Sequence, residues 1–217
     1  MRLLALRHAE SESNAHPEAV ALPERLGDRL TERGIEQAAA AARALRGAGA
    51  TRLLSSPMGR ARETAEALSR ELGLEVEIDE EIHELRESAD YLDLPPEEQK
   101  LRRWSMWMAQ HESHPDYAPE GAESFNAVHS RVRGFKSRLE RGDPSACVLA
   151  VTHGIFLRFF FIDSLLGGQF EARDVARLWN LRTFNCGLSV FELDEPRHRA
   201  DPDIEGWRCA TWMQPLS

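Results

Sequence analysis

Two histidines and two arginines carry the chemistry this sequence could perform. Arg7-His8 follows the apolar run that opens the chain, Arg60 follows Ser55-Ser56-Pro57, and His153 stands in Thr152-His153-Gly154. Arginine suits phosphate because its planar fork donates paired hydrogen bonds. A neutral imidazole is a competent nucleophile towards phosphorus. Held together, the four side chains would form a compact cationic site fit for phosphoryl transfer through a phosphohistidine, with no metal required. Taken singly each is ordinary. His8 alone would be a loop histidine, His153-Gly154 a turn, and Arg60 an exposed helix arginine like its neighbour Arg62.

Such groups work only if the elements carrying them end at one place. Arg2–Leu6, Thr51–Leu54, Glu75–Ile78, Cys147–Val151 and Leu188–Leu193 read as strands. Thr31 is placed to cap a helix reaching about Arg46, with Ile35, Ala38, Ala42 and Leu45 on one face. Ser56-Pro57 reads as an N-cap and a first helical residue, before a stripe of Met58, Ala61, Ala65, Leu68 and Leu72. The backbone N–H groups of that helix start would add donors for an anion. Ser124 could cap a further helix carrying Phe125, Val128, Val132, Phe135 and Leu139, and Ile155–Leu166 reads as another. Between about residues 85 and 120 the prolines Pro95, Pro96, Pro115 and Pro119 break the pattern, with a helical piece between Glu97 and His111. This stretch reads as a cap inserted over the core. Strands alternating with helices give an α/β fold, a three-layer α/β/α sandwich with a mainly parallel central sheet. Ligands collect outside the carboxyl ends of such strands, where His8, Ser56, Arg60 and His153 fall.

Composition narrows the function classes. The 217 residues are 42% apolar and 29% charged, the balance of a globular chain, and are expected to form one domain over 1–217. Thirty-six acidic against 27 basic residues give a formal charge of −9. That argues against nonspecific nucleic-acid binding and against an anionic membrane surface, while leaving room for a few local arginines to bind an anionic substrate. Three cysteines without a CxxC offer neither a disulfide framework nor a cysteine-rich zinc site. The Met1–Leu6 run is too short for a signal peptide, and Ile155–Ile162 is interrupted by Arg158. A cytoplasmic protein is expected, without cofactor; the oligomeric state is not legible.

Five segments, in order, carry a family resemblance. Arg7-His8-Ala9-Glu10-Ser11, with Asn14 beyond, resembles the RHG signature of the histidine phosphatase (phosphoglycerate mutase-like) superfamily. Leu30-Thr31-Glu32-Arg33-Gly34-Ile35-Glu36-Gln37-Ala38 is similar to its LTxxGxxQA segment, and Ser55-Ser56-Pro57-Met58-Gly59-Arg60-Ala61-Arg62-Glu63-Thr64-Ala65 to its SSPxxRAxxTA segment. Pro119-Glu120-Gly121-Ala122-Glu123-Ser124 resembles the GES element, and Val151-Thr152-His153-Gly154 the second-histidine motif. The resemblance implies that His8 is phosphorylated, that Arg7, Arg60 and His153 bind the phosphoryl oxygens, and that Asn14, with Ser11 in the same loop, contacts the phosphoryl group or substrate.

A leaving alkoxide also needs a proton. The family's acid glutamate follows the third strand in an L-x-E context, which Ile82-His83-Glu84 fits and Leu85-Arg86-Glu87 offers again. Glu84 is preferred to Glu87, because its distance from the Val76–Ile78 strand resembles the family pattern better. Ala9 replaces the signature glycine, Ser13 stands where the mutase branch has tryptophan, and the glycine-rich stretch after the acid is absent. The expected activity is hydrolysis of a small phosphorylated metabolite. The alternatives are mutase-type phosphoryl transfer and a non-catalytic phosphate-binding module. His111 and His114 form an HxxH without a supporting carboxylate pattern, His16 and His83 read as peripheral, Trp104 and Trp107 as cap packing, and Arg102 and Arg103 as solvated charge.

Overall fold

Successive side chains of a strand face opposite ways, and the first strand uses both faces. In β1 (Arg2–Arg7), Leu3 and Ala5 join one apolar cluster while Leu4 and Leu6 join another. The computed structural model, which describes residues 1–16, 27–86, 112–118, 121–193 and 206–216, builds a sandwich on that alternation. One helix layer holds α2 (Glu32–Ala44) and α3 (Gly59–Leu72), whose Ala38, Ala41, Ala42, Ala61, Ala65 and Leu68 pack with Leu4, Leu6, Leu53 and Leu149. The other holds α4 (Phe125–Glu140) and α5 (Gly154–Leu166), whose Val128, Val132, Phe156, Phe159 and Phe160 pack with Leu3, Ala5, Val148 and Ala150. Small residues on α2 and α3 let those helices approach the sheet closely; aromatics fill the deeper opposite side.

The remaining elements are α1 (Glu12–Ala15), β2 (Arg52–Ser55), β3 (Val76–Ile78), β4 (Cys147–Thr152), α6 (Ala172–Arg177), β5 (Gly187–Leu193) and β6 (Trp207–Pro215). The sheet order is β3-β2-β4-β1-β5-β6. β3, β2, β4 and β1 run parallel, and β5 and β6 are antiparallel to their neighbours. The mainly parallel expectation therefore holds for the four strands that serve the site. The antiparallel β6 carries no clean alternation in sequence, its exposed and buried side chains being mixed by a register shift against β5.

Local expectations are corrected at two points. The α3 helix starts at Gly59 with Met58 at its N-cap, so Ser56 and Pro57 lie before the helix. Ser56 Oγ instead accepts from the Met58 N–H at 3.3 Å, and Pro57 extends the lead-in turn. On α2, Ile35 is 59% exposed, because the face against the sheet is formed by Gly34, Ala38, Ala41 and Ala42. The caps Thr31 and Ser124 do accept from the N–H groups three residues on, at Gly34 and Ala127. The expected cap falls mostly outside the described residues, with Glu87, Trp104, Trp107, Arg102, Arg103 and His111. No helix among the described residues is long and apolar enough to cross a membrane.

Candidate active site

Register brings the three motif-bearing strand ends together. Arg7 pairs with Thr152 across β1 and β4, and Ser55 pairs with Val151 across β2 and β4. One residue further, the His8 N–H donates to the Thr152 carbonyl at 2.9 Å and the Ser56 N–H to the Val151 carbonyl at 3.0 Å. His8, Ser56 and His153 thus leave the sheet side by side. The two imidazole centroids are 5.0 Å apart.

Arg60 stands between them. Its Nε donates to His8 Nε2 at 3.1 Å, its Nη2 meets His153 Nδ1 at 3.3 Å, and its Nη1 reaches Asp28 Oδ2 at 3.3 Å. A guanidinium only donates, so both histidine nitrogens facing it hold lone pairs. The other nitrogens must then carry the protons. His8 Nδ1 donates to the Ala9 carbonyl at 2.7 Å and His153 Nε2 to Ser56 Oγ at 2.7 Å. His8 therefore presents Nε2 as its basic nitrogen. Burial, with the Arg60 and Arg7 charges next in size, holds the His8 imidazolium form well below its usual range. His153 is held down the same way, by burial and then by Arg60, His8, Arg7 and His83. Both rings stay neutral in the resting site.

Arg7 supplies a second guanidinium. Its Nη1 donates to the Thr183 carbonyl at 3.0 Å, while its Nε is buried and meets no acceptor among the described residues. A buried cationic donor left open is costly, and an anion would satisfy it. Glu84 sits at the start of α5, just past His153. Its carboxylate accepts from the Leu85, Ile155 and Phe156 N–H groups at 3.0, 3.2 and 3.3 Å, and it lies close enough to Arg7 and Arg158 to favour both charges. Burial lowers Arg158 to about 10. The structure thus brings His8, Arg7, Arg60, His153 and Glu84 into one neighbourhood. Asn14 joins at the rim through Asn185, whose Nδ2 bonds both Asn14 Oδ1 and the His8 carbonyl. Ser11 is buried, and its Oγ bonds Ser13 Oγ, so it serves the loop.

The motif residues between these groups explain their own spacing. On α3, Arg60 and Thr64 share a face; Thr64 Oγ1 accepts from the Ala9 N–H at 3.1 Å, fixing the backbone that receives the His8 proton. On α2, Thr31 and Gln37 bond Glu10, and a Cβ on Gly34 would stand 1.9 Å from the Glu10 carbonyl oxygen. The glycine lets the helix touch the loop after His8. Glu123 and Arg131 hold the segment bearing Glu84: Arg131 Nη1 donates to the Glu81 and His83 carbonyls at 2.7 and 2.8 Å, and Glu123 accepts from Arg131 and the Arg86 N–H. His83 is part of this support, buried and donating from Nδ1 to the Glu84 carbonyl at 2.6 Å, which corrects its peripheral placement.

Sequence reasoning missed Asp28, Thr183, Asn185 and Arg131. Asp28 is buried and accepts from the Ser13 backbone and Arg60. Its only sequence signal is the acid count, since nothing near Gly27-Asp28-Arg29 repeats. No cluster of three or more histidine, cysteine or acidic side chains suited to a metal ion occurs among the described residues.

The chain as a whole is similar to known proteins. The model of the histidine phosphatase superfamily (branch 1) matches residues 3–202, and the chain belongs to that superfamily. It is 28% identical to phosphoserine phosphatase 1 of Hydrogenobacter thermophilus over 91% of this chain and 89% of the relative. It is 27% identical to the probable phosphoglycerate mutase GpmB of Photorhabdus laumondii over 98% of this chain and 90% of that one. Among solved structures, a mycobacterial glucosyl-3-phosphoglycerate phosphatase in complex with VO3 superposes with a TM-score of 0.73 at 25% identity, covering 98% of both chains.

Proposed function

We propose that the protein is a phosphatase that hydrolyses a small phosphomonoester through a phosphohistidine on His8. The observation that carries this reading is the tautomer of His8: Nδ1 is tied to the Ala9 carbonyl and Nε2 offers its lone pair inside the Arg7, Arg60 and His153 cradle. An arriving phosphoryl group takes over the Arg60 Nε–H that now rests on Nε2, and fills the open Nε of Arg7. The Nε2 lone pair then forms the N–P bond while the P–O bond to the leaving group breaks. The freed electron pair stays on the leaving oxygen, which takes a proton from the Glu84 carboxyl. In the second half, Glu84 accepts a proton from water as that water attacks phosphorus, and the N–P electrons return to the imidazole. Two arginines hold the charge on the transferring oxygens, the larger part of such catalysis, and the neutral His153 braces Arg60 through Nδ1 while its Nε2–H stays on Ser56. No step asks for a metal ion.

The names of the relatives support a small phosphorylated metabolite as substrate: phosphoserine, glucosyl-3-phosphoglycerate and, for another structural neighbour, α-ribazole phosphate. The GpmB relative keeps a mutase reading in play, in which a substrate hydroxyl replaces water as acceptor. Ser13, tied to Asp28 where the mutase branch carries tryptophan, tilts towards hydrolysis. Turnover of p-nitrophenyl phosphate in the presence of a chelator tests the reading. Wild type is expected to release phosphate and, on alkaline quench, to carry acid-labile phosphate on His8. His8→Ala is expected to lose at least about 10³-fold in rate, the scale of removing a covalent nucleophile. Activity that survives His8→Ala or is abolished by the chelator would reject it.

A further inference from the structure

Asn185 lies outside every motif, yet it touches the site twice. Its Nδ2 donates to the His8 carbonyl at 3.2 Å and to Asn14 Oδ1 at 2.9 Å. The His8 carbonyl can only accept, so the amide of Asn185 must present its amino group there. The same amino group meets Asn14, which forces the Asn14 oxygen towards Asn185. The Asn14 amino group is thereby left pointing away from Asn185, and it donates to no group of the described residues. An amide has one donor end and one acceptor end, nearly equal in shape, and little besides hydrogen bonding chooses between them. Towards a phosphoryl oxygen the choice matters, because the acceptor end would repel what the donor end binds.

Asn185 belongs to a short turn that serves the site at several points. Thr183 receives the Arg7 Nη1 through its carbonyl and Oγ1. The Cys186 N–H donates to the Arg7 carbonyl at 3.1 Å, with Cys186 held at a φ of 52°. The turn is therefore fixed to β1 by its own backbone, and Asn185 hangs its amide from a rigid support. We infer that Asn185 is a positioning residue, which sets the amide of Asn14 so that its amino group faces the phosphoryl group. This rests on the hydrolase reading above.

The test is a double-mutant cycle on Asn14 and Asn185, read as kcat/KM on p-nitrophenyl phosphate and as the affinity for inorganic phosphate by calorimetry. Asn185→Asp is nearly isosteric and cannot donate; Asn185→Ala removes the contact without adding charge. Both are expected to lower kcat/KM and phosphate affinity about tenfold, the size of one hydrogen bond to a charged group, with a thermal midpoint within about 2 °C of wild type, as for a partly exposed substitution. Asn14→Ala should lose as much. The decisive result is that Asn14→Ala/Asn185→Ala is no worse than Asn14→Ala alone. Losses that add in the double variant, or a folded Asn185→Asp with wild-type kcat/KM and phosphate affinity, would overturn the assignment. Should wild type lack His8-dependent turnover, the hydrolase reading falls, and the phosphate-binding arm of the cycle still decides on Asn185. A wild-type protein that binds no phosphate overturns both.

Discussion

Imidazole and guanidinium share one small volume here, and each sets the other's state. Three buried histidines, His8, His153 and His83, all have proton affinities lowered chiefly by burial from the ordinary 6.5. The unfolded chain takes up protons below about pH 6.5 that the folded chain refuses. Stability contributed by the neutral rings is therefore complete above that pH and is lost as the pH falls towards the folded values. Each such ring adds a slope of up to about 1.4 kcal/mol per pH unit. Urea melts between pH 7.5 and 5.5 should show falling stability, with a shallower slope in His83→Gln. Equal slopes in the two proteins would disprove the assignment. The acid is also a question of single residues. Glu84→Gln should slow release of a poor leaving group about 10²–10⁴-fold, the usual worth of a general acid, and spare an activated one; Glu87→Gln should do little. Equal losses would leave Glu84 without its assigned role.

Helices in this fold are tools for placing loops. The Thr31, Gly34 and Gln37 spacing was legible as a motif, but its purpose was not, because all three act on Glu10, more than twenty residues earlier. The structure turns the pattern into a cause: the helix start presses on the backbone that follows His8. Gly34→Ala should force that contact apart, costing about 1–3 kcal/mol as overpacking does and lowering kcat by as much as about 10²-fold through a displaced nucleophile. Chemical denaturation and turnover measure the two effects, and a variant matching wild type in both would show that the contact is unimportant. Helix α3 repeats the logic, with Arg60 for the side chain of His8 and Thr64 for the backbone beside it. The Ser56 N-cap expected from local sequence gives way to Met58 for a related reason. Its hydroxyl faces His153, 97 residues later, and no local rule records that demand.

At the scale of the whole molecule, the site gathers two buried guanidinium groups, Arg60 paired with Asp28 and Arg7 lying near Glu84. Arg7 and Arg60 face neutral imidazoles across the carboxyl edge of four parallel strands, with the Arg7 Nε buried and without an acceptor among the described residues. An anion supplies that acceptor, so binding should stabilise the fold. At 100 times its Kd, vanadate or phosphate should add about 2.7 kcal/mol, which for a chain of this size raises Tm by about 5–10 °C. The rise should vanish in Arg60→Ala, and a soaked crystal should hold the anion between His8, Arg7, Arg60 and His153. An unchanged Tm, or an anion bound elsewhere, would refute this geometry.

The amino-acid sequence by itself determined which side chains could do the chemistry and the order in which they come, because the motifs bearing His8, Arg60 and His153 each sit at a strand-to-helix junction and their residue types are those phosphate requires. It also determined the layered architecture, since the continuous apolar runs of β1 and β4, buried on both faces, and the stripes of α3 and α4 are local. Only the tertiary structure decided which nitrogen of His8 holds the lone pair, where the Glu84 carboxylate is seated, and that Asp28, Arg131 and Asn185 belong to the site at all. Those facts are hydrogen bonds between segments far apart along the chain, and hydrogen bonds of that kind leave no periodicity to read.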